Sequence, residues 1–309
     1  MVTQNCNICI VGSFSLDTII VPKQDTPFHS LGGAATYTSL AAKTLEEQVV
    51  TVVSRVGGDL PEVYLQELRK KKVNISAVKR YPQETTTHFD LCYNEDYSER
   101  TLKLTHKGHQ ILPNDIPVNL HAKTIHVAPI AGEISYEIIE QLKKYCNNLS
   151  LDPQGFLRNF DKNGNVTPNL QADKHILELV DTCKTSQDEI FTLTGQLELK
   201  GAIRAVHDAG VKTVIVTMGA NGSLLSTEGT QYIIPACRPT VLIDPTGAGD
   251  VFIGAFLTEQ IKGKEPLWCA SIGSAAASLV VEGVGSTYFG ERHEIIKRAI
   301  NLYEKELKQ

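Results

Sequence analysis

Short apolar runs bounded by turn residues recur along the chain, and most are followed by a helical pattern. Cys6 to Val11, Val49 to Val53, Thr124 to Ala128, Leu149 to Leu151, Val180 to Lys184 and Val214 to Thr217 read as buried strands. Helices are expected over Ala34 to Thr44, Pro61 to Lys72, Ser135 to Cys146, Val251 to Ile261, Leu267 to Val281 and Gly290 to Lys308, with an interruption at Gly273 to Ala277. Such alternation predicts an α/β fold. Two stretches depart from it. Ser13 to Val21 stays extended with Asp17 embedded among Phe14, Leu16, Ile19 and Ile20, where a carboxylate is costly without partners. Ser76 to Val78, Thr85 to Tyr93 and Arg100 to His106 alternate like strands of a meander, the last two joined by the polar Asn94 to Glu99, and fit a small sheet covering a site. Gly222 to Ser226 and Thr230 to Ile234 read as an edge hairpin around Glu228-Gly229.

A chain of 309 residues, 42% hydrophobic and 21% charged, has room for one large α/β domain or two small ones. Its net charge of −5 offers no basic field to nucleic acid or to an anionic membrane, so neither partner is expected. The amino terminus lacks a basic segment leading into an apolar one, no apolar run nears the roughly 20 residues a bilayer requires, and a cytoplasmic protein is expected. Seven scattered cysteines read as thiols. Cys6 and Cys9, three apart on a strand, are expected on opposite faces.

Chemistry concentrates between Ile243 and Phe256. Asp244-Pro245 ends an extended run, Gly247 and Gly249 leave the backbone bare, and an apolar helix pattern begins at Asp250. Unpaired N–H groups of a first helical turn, approached closely where side chains are missing, make an anion site. Asp250 cannot bind that anion. It can take the proton of an alcohol attacking a phosphate there, or it can be a plain helix cap.

The stretch resembles the signature of the ribokinase-like carbohydrate kinases, Asp-x-x-Gly-Ala-Gly-Asp followed by an apolar helix. The resemblance implies a three-layer fold: a mostly parallel central sheet flanked by helices, with a small β-sheet lid. It implies one domain over 1–309, the lid formed by about 13–31 and 76–107. It makes Gly247, Ala248 and Gly249 the anion hole for the transferred phosphoryl group and Asp250 the catalytic base. Asp17 would grip substrate hydroxyls while Gly32 and Gly33 let the lid close. Thr87 is placed on the substrate side as well. Tyr37 stands where ribokinase has asparagine.

Other matches follow in the same order. Asp152 to Arg158 trails a strand at the sheet's carboxyl edge, where Gln154 could serve a polyol and Arg158 a phosphate, or both could be surface-loop residues. Lys184 and Ser186 stand in place of the common Lys-x-Asn, on the nucleotide side. Glu189 would hold magnesium through its water shell, although Ser186 and Glu189 also spell a capping box. Thr217, Gly219 and Gly222 match the nucleotide loop, and Ser274 falls near the adenine contact, though small residues there also suit helix packing. Potassium near Asp244 is implied by likeness alone.

Neither a P-loop nor a Rossmann fingerprint is present, since Phe252 occupies the latter's third glycine. The pieces Leu31 to Ala35, Ile111 to Pro117, Asp152 to Arg158 and Lys184-Thr185-Ser186 look most like myo-inositol kinases. The implied activity is ATP-dependent phosphorylation of a small polyol, myo-inositol or a related cyclitol. A nucleoside kinase is the alternative, although no aromatic stacking platform is visible near Asp17 or Gly32; a catalytically silent nucleotide or sugar sensor is another. An exposed lid sheet could pair two subunits.

Overall fold

The computed structural model of the protein describes residues 4–22, 26–46, 49–95 and 100–307. The chain begins with β1 (Gln4–Gly12), β2 (Ser15–Ile20), β3 (Phe28–Gly32), α1 (Ala34–Leu45), β4 (Val50–Gly57), α2 (Glu62–Lys70) and β5 (Asn74–Tyr81). Next come β6 (Thr87–Tyr93), β7 (Arg100–His106), β8 (Leu120–Ala128), α3 (Tyr136–Lys143), β9 (Cys146–Leu151), β10 (Arg158–Phe160) and β11 (Val166–Pro168). It closes with β12 (Thr182–Ser186), α4 (Gln187–Thr194), α5 (Leu199–Asp208), β13 (Thr213–Thr217), β14 (Ser223–Thr227), β15 (Thr230–Ile234), α6 (Ala248–Gln260), α7 (Pro266–Val280) and α8 (Arg292–Leu302).

Nine strands form one sheet in the order β15-β14-β13-β12-β9-β8-β1-β4-β5. All neighbours from β13 to β5 run parallel, and the β14–β15 hairpin adds an antiparallel edge. Strands buried on both faces have no room for polar alternation, which is why the central ones read as continuous apolar runs. Helices α1, α2, α6, α7 and α8 bury one face of the sheet, and α3, α4 and α5 the other. The chain winds outward from β1 in both directions, so the carboxyl ends of β1 and β8 diverge into a crevice.

A separate four-stranded sheet, β3-β2-β6-β7, lies over that crevice. Its strands come from two excursions of the chain, joined where β2 and β6 pair in parallel. Alternate residues of β6 (Thr87, Phe89, Leu91 and Tyr93) face inward and are buried, packing with Ile19 against Ala128 and Ile130 at the end of β8.

Several expectations need correction. The strand expected at Ser76 to Val78 as part of the small meander is β5, which pairs parallel to β4 at the edge of the large sheet. Buried Ile75 and Ala77 anchor it there, as the crossover through α2 dictates. Helix α7 is continuous through Gly273 to Ala277, because the missing side chain at Gly273 lets α7 close on Phe252. Cys6 and Cys9 do not face apart: both thiols are free and share one core cluster. Cys9 hydrogen-bonds the Cys6 sulfur and lowers its pKa. The Cys146 end of the expected third helix instead begins β9. Residues 96–99 of the polar link and Lys308 lie outside the described residues.

Candidate active site

The turn from Asp244 to Gly247 delivers the chain into α6. Asp244 is buried, and its carboxylate accepts from Thr246 N (2.9 Å), Thr246 Oγ1 (2.5 Å) and, across the molecule, Gly285 N (2.7 Å). Gly247 caps the helix in the left-handed region with φ 76°. A Cβ there would fall 2.2 Å from the Tyr37 ring, so both conformation and space demand glycine. The helix therefore starts at Ala248, and Asp250 is its third residue rather than its cap. Among the described residues no side chain caps this helix start, and Ala248 N makes a long 3.4 Å contact with Pro245 O. These amides remain able to receive an anion.

Under them lies a buried ion pair. Lys184 Nζ donates to Asp152 Oδ2 at 2.7 Å, and a Cβ on Gly249 would come within 2.6 Å of that ammonium. Burial alone would discharge Lys184, but Asp152, Glu189 and Asp250 outweigh it and hold its pKa above the ordinary value. Asp152 also accepts from Gln154 N (3.1 Å), fixing the short turn after β9. Gln154 Nε2 in turn donates to Asp250 Oδ1 at 3.3 Å. Desolvation raises the Asp250 pKa to about 7 against the pull of Lys184, with Asp152 adding to the rise and Arg158 opposing it.

Asp17, Tyr37, Gln154, Arg158, Gly247 and Asp250 line one cavity of about 70 Å³. Its roof is Phe89, Leu91 and Leu102 of the small sheet. Asp17 takes a 2.6 Å hydrogen bond from Ser15 Oγ, and its carboxylate passes where a Cβ on Gly32 would stand, 1.8 Å from Oδ2. Gly33, at φ 85°, caps the start of α1. Arg158 Nη1 donates to Ile130 O at 3.4 Å. Phe89 and Tyr37 supply aromatic surface beside Asp17, which the chain pattern had not revealed.

The other expected residues lie outside this cavity. Thr87 Oγ1 accepts from Gly108 N (3.1 Å), where β6 enters the small sheet. Ser186 and Thr217 are register partners at the carboxyl ends of β12 and β13. Gly219 and Gly222 follow them with positive φ, and a Cβ on Gly222 would strike Ile234 O. Ser186 and Glu189 form a reciprocal capping box, Glu189 Oε2 accepting from Ser186 N at 2.7 Å. Ser274 Oγ accepts from Cys237 N (2.8 Å) and donates to Pro235 O (3.2 Å), tying α7 to the segment that follows β15. Among the described residues no three His, Cys, Asp or Glu could hold a metal by themselves. A larger cavity of about 1080 Å³ opens at the opposite edge of the sheet. Its Asp181 is already paired with Lys143 (2.5 Å) and Lys212 (2.9 Å).

Sequence reasoning missed three contributors. Asp152 gave no signal beyond its place after a strand. Thr246 and Tyr93 meet through a 2.7 Å hydrogen bond between residues 153 apart in the chain.

A phosphoryl group held on bare amides beside a carboxylate of raised pKa, over a fixed ammonium, can be attacked by an alcohol that the same carboxylate deprotonates. This is the chemistry of phosphotransferases with an alcohol acceptor. The chain belongs to the pfkB family of carbohydrate kinases, which it matches over residues 6–292. It is 28% identical over 288 residues to the cytidine kinase of Thermococcus kodakarensis, covering 90% of this chain and 97% of the relative. It is 27% identical over 296 residues to the inositol 3-kinase of Arabidopsis thaliana, covering 92% and 76%. The crystal structure of Methanocaldococcus jannaschii nucleoside kinase, a ribokinase-family member, superposes with a TM-score of 0.76 at 25% identity over 95% of this chain and 97% of that one. A pyrophosphate-dependent kinase of the ribokinase family, complexed with a pyrophosphate analog and myo-inositol, shares the fold at TM-score 0.79 and 21% identity, covering 94% and 99%.

Proposed function

We propose that the protein is an ATP-dependent kinase that phosphorylates a hydroxyl of a compact polyol, myo-inositol or a related cyclitol. The observation that carries this reading is the convergence of Asp17, Gln154, Arg158 and Asp250 on one small cavity. Four hydrogen-bonding side chains around so little volume suit a ring that carries hydroxyls on every side.

Asp250 accepts the proton of the attacking hydroxyl, and Gln154 fixes the carboxylate that does so. Asp17, held by Ser15, takes substrate hydroxyls on the far side. The amides of Gly247, Ala248 and Gly249 receive the transferred phosphoryl group, with the Lys184 charge beneath them and Arg158 beside them. Thr217, Gly219 and Gly222 offer backbone to the nucleotide, with Lys184 and Ser186 at its phosphate end. Magnesium, when bound through water to Glu189, would neutralise nucleotide phosphate charge; a site with few protein ligands suits it, since it keeps its waters and uses phosphate oxygens. Potassium at Asp244 would have to share a carboxylate that already accepts three hydrogen bonds. The small sheet acts as a lid over the polyol.

A nucleoside acceptor is the second reading, favoured by the Phe89 and Tyr37 surfaces in the cavity. The deciding experiment measures phosphoryl transfer from ATP, and separately from pyrophosphate, to myo-inositol, ribose, fructose, adenosine, guanosine and cytidine. Selective turnover of inositol, lost in Asp250→Asn, is expected. Turnover of a nucleoside alone would overturn the polyol assignment, and no turnover of any acceptor would overturn the kinase reading of this panel.

A further inference from the structure

Tyr93 ends the inward-facing row of β6 and is 8% exposed. Its hydroxyl lies 2.7 Å from Thr246 Oγ1. Thr246 Oγ1 gives its own proton to Asp244 Oδ1 at 2.5 Å, so Tyr93 is the donor in the first contact. The other Asp244 oxygen accepts from Gly285 N. The neighbouring Ser286 Oγ donates to Leu31 O at 2.7 Å, and Ser286 N to Ser30 Oγ at 3.2 Å, both on β3. Two strands of the small sheet are thus linked, through Thr246 and through Gly285-Ser286, to one carboxylate, and that carboxylate shapes the turn immediately before Gly247.

We infer that Tyr93 is a positioning residue: its hydrogen bond to Thr246 aligns the Gly247 to Gly249 amides when the small sheet lies over the crevice. The inference rests on the phosphotransfer reading for its catalytic consequence, though not for the contact itself. Coupling the roof to the anion site makes the phosphoryl group well held only after the acceptor is covered. Water is then a poor acceptor, because an uncovered site has misaligned donors. Tyr93 touches no reacting atom in this scheme. It acts through Thr246.

The test uses the full chain. Tyr93→Phe keeps the ring and removes one donor; it is expected to lower kcat roughly tenfold or more, as small displacements of transition-state donors do, with KM for ATP unchanged within about twofold. Thr246→Val, which also removes the donor to Asp244, should lose at least as much, and Thr246→Ser, which keeps the hydroxyl, should retain wild-type kcat. Adding Tyr93→Phe to Thr246→Val should then cost nothing further, the signature of one shared interaction. Amide hydrogen exchange over residues 245–250, which needs no substrate, should quicken in Tyr93→Phe. A Tyr93→Phe variant with wild-type kcat and exchange overturns the inference while leaving the kinase reading intact. If the wild type turns over no acceptor, the kinase reading fails and the exchange result alone decides whether Tyr93 orders the turn.

Discussion

At Asp250, desolvation in the cleft and the nearby carboxylates raise the pKa to about 7, while Lys184 and Arg158 restrain the rise. A base must be ionised, so kcat/KM should fall by about tenfold per pH unit as pH drops below about 7. Asp250→Asn should remove this limb and cost at least about 10²-fold in turnover. The same shift acts on stability with the opposite preference. A carboxyl whose folded pKa lies above its unfolded one contributes stability that is complete below the unfolded pKa and is lost as pH rises through the folded value. Melting scans should therefore show Asp250→Asn gaining on the wild type between about pH 4 and pH 7, with no gain below that window. A flat difference across that range would mean the carboxyl titrates normally. Asp250 and its glycines were legible because they are contiguous: one helix start holds them all. Asp152 and Lys184 are 32 residues apart and meet only because β9 and β12 are neighbours.

On the scale of elements, α6 carries the catalytic end of the molecule and must be held at a fixed depth. It is apolar on nearly every side because α1 and α7 enclose it on the sheet. Gly254 sets its approach to α1: a Cβ there would lie 2.5 Å from Thr38 O. Gly254→Val should overpack this contact and destabilise by about 1–3 kcal/mol, read as a lower urea midpoint at unchanged m-value. Because Asp250 rides on the same helix, kcat should drop in the folded variant too. The helix and its apolar character could be read from its run of Val, Phe, Ile and Leu. The membership of β5 could not, since strand pairing is decided by partners elsewhere in the chain and a short alternating segment suits either sheet.

For the whole molecule, the order of units was readable as an alternation of runs, and the α/β architecture followed from it. What the alternation could not supply was the junction between the two sheets, which is made of side-chain contacts spanning much of the chain, Tyr93 to Thr246 and Ser286 to Leu31 among them. If the small sheet covers bound ligands, small-angle scattering should give a lower radius of gyration with acceptor and nucleotide analogue together than with either alone. An unchanged radius would mean the crevice is covered from the outset. The parallel pairing of β2 with β6 sets what such a movement can be. Two excursions welded along one seam return to the large sheet at four separate crossings, so neither can fold away by itself. Any closing movement is therefore expected to be a swing of the whole plate, as a door moves on several hinges, rather than the release of one strand at a time.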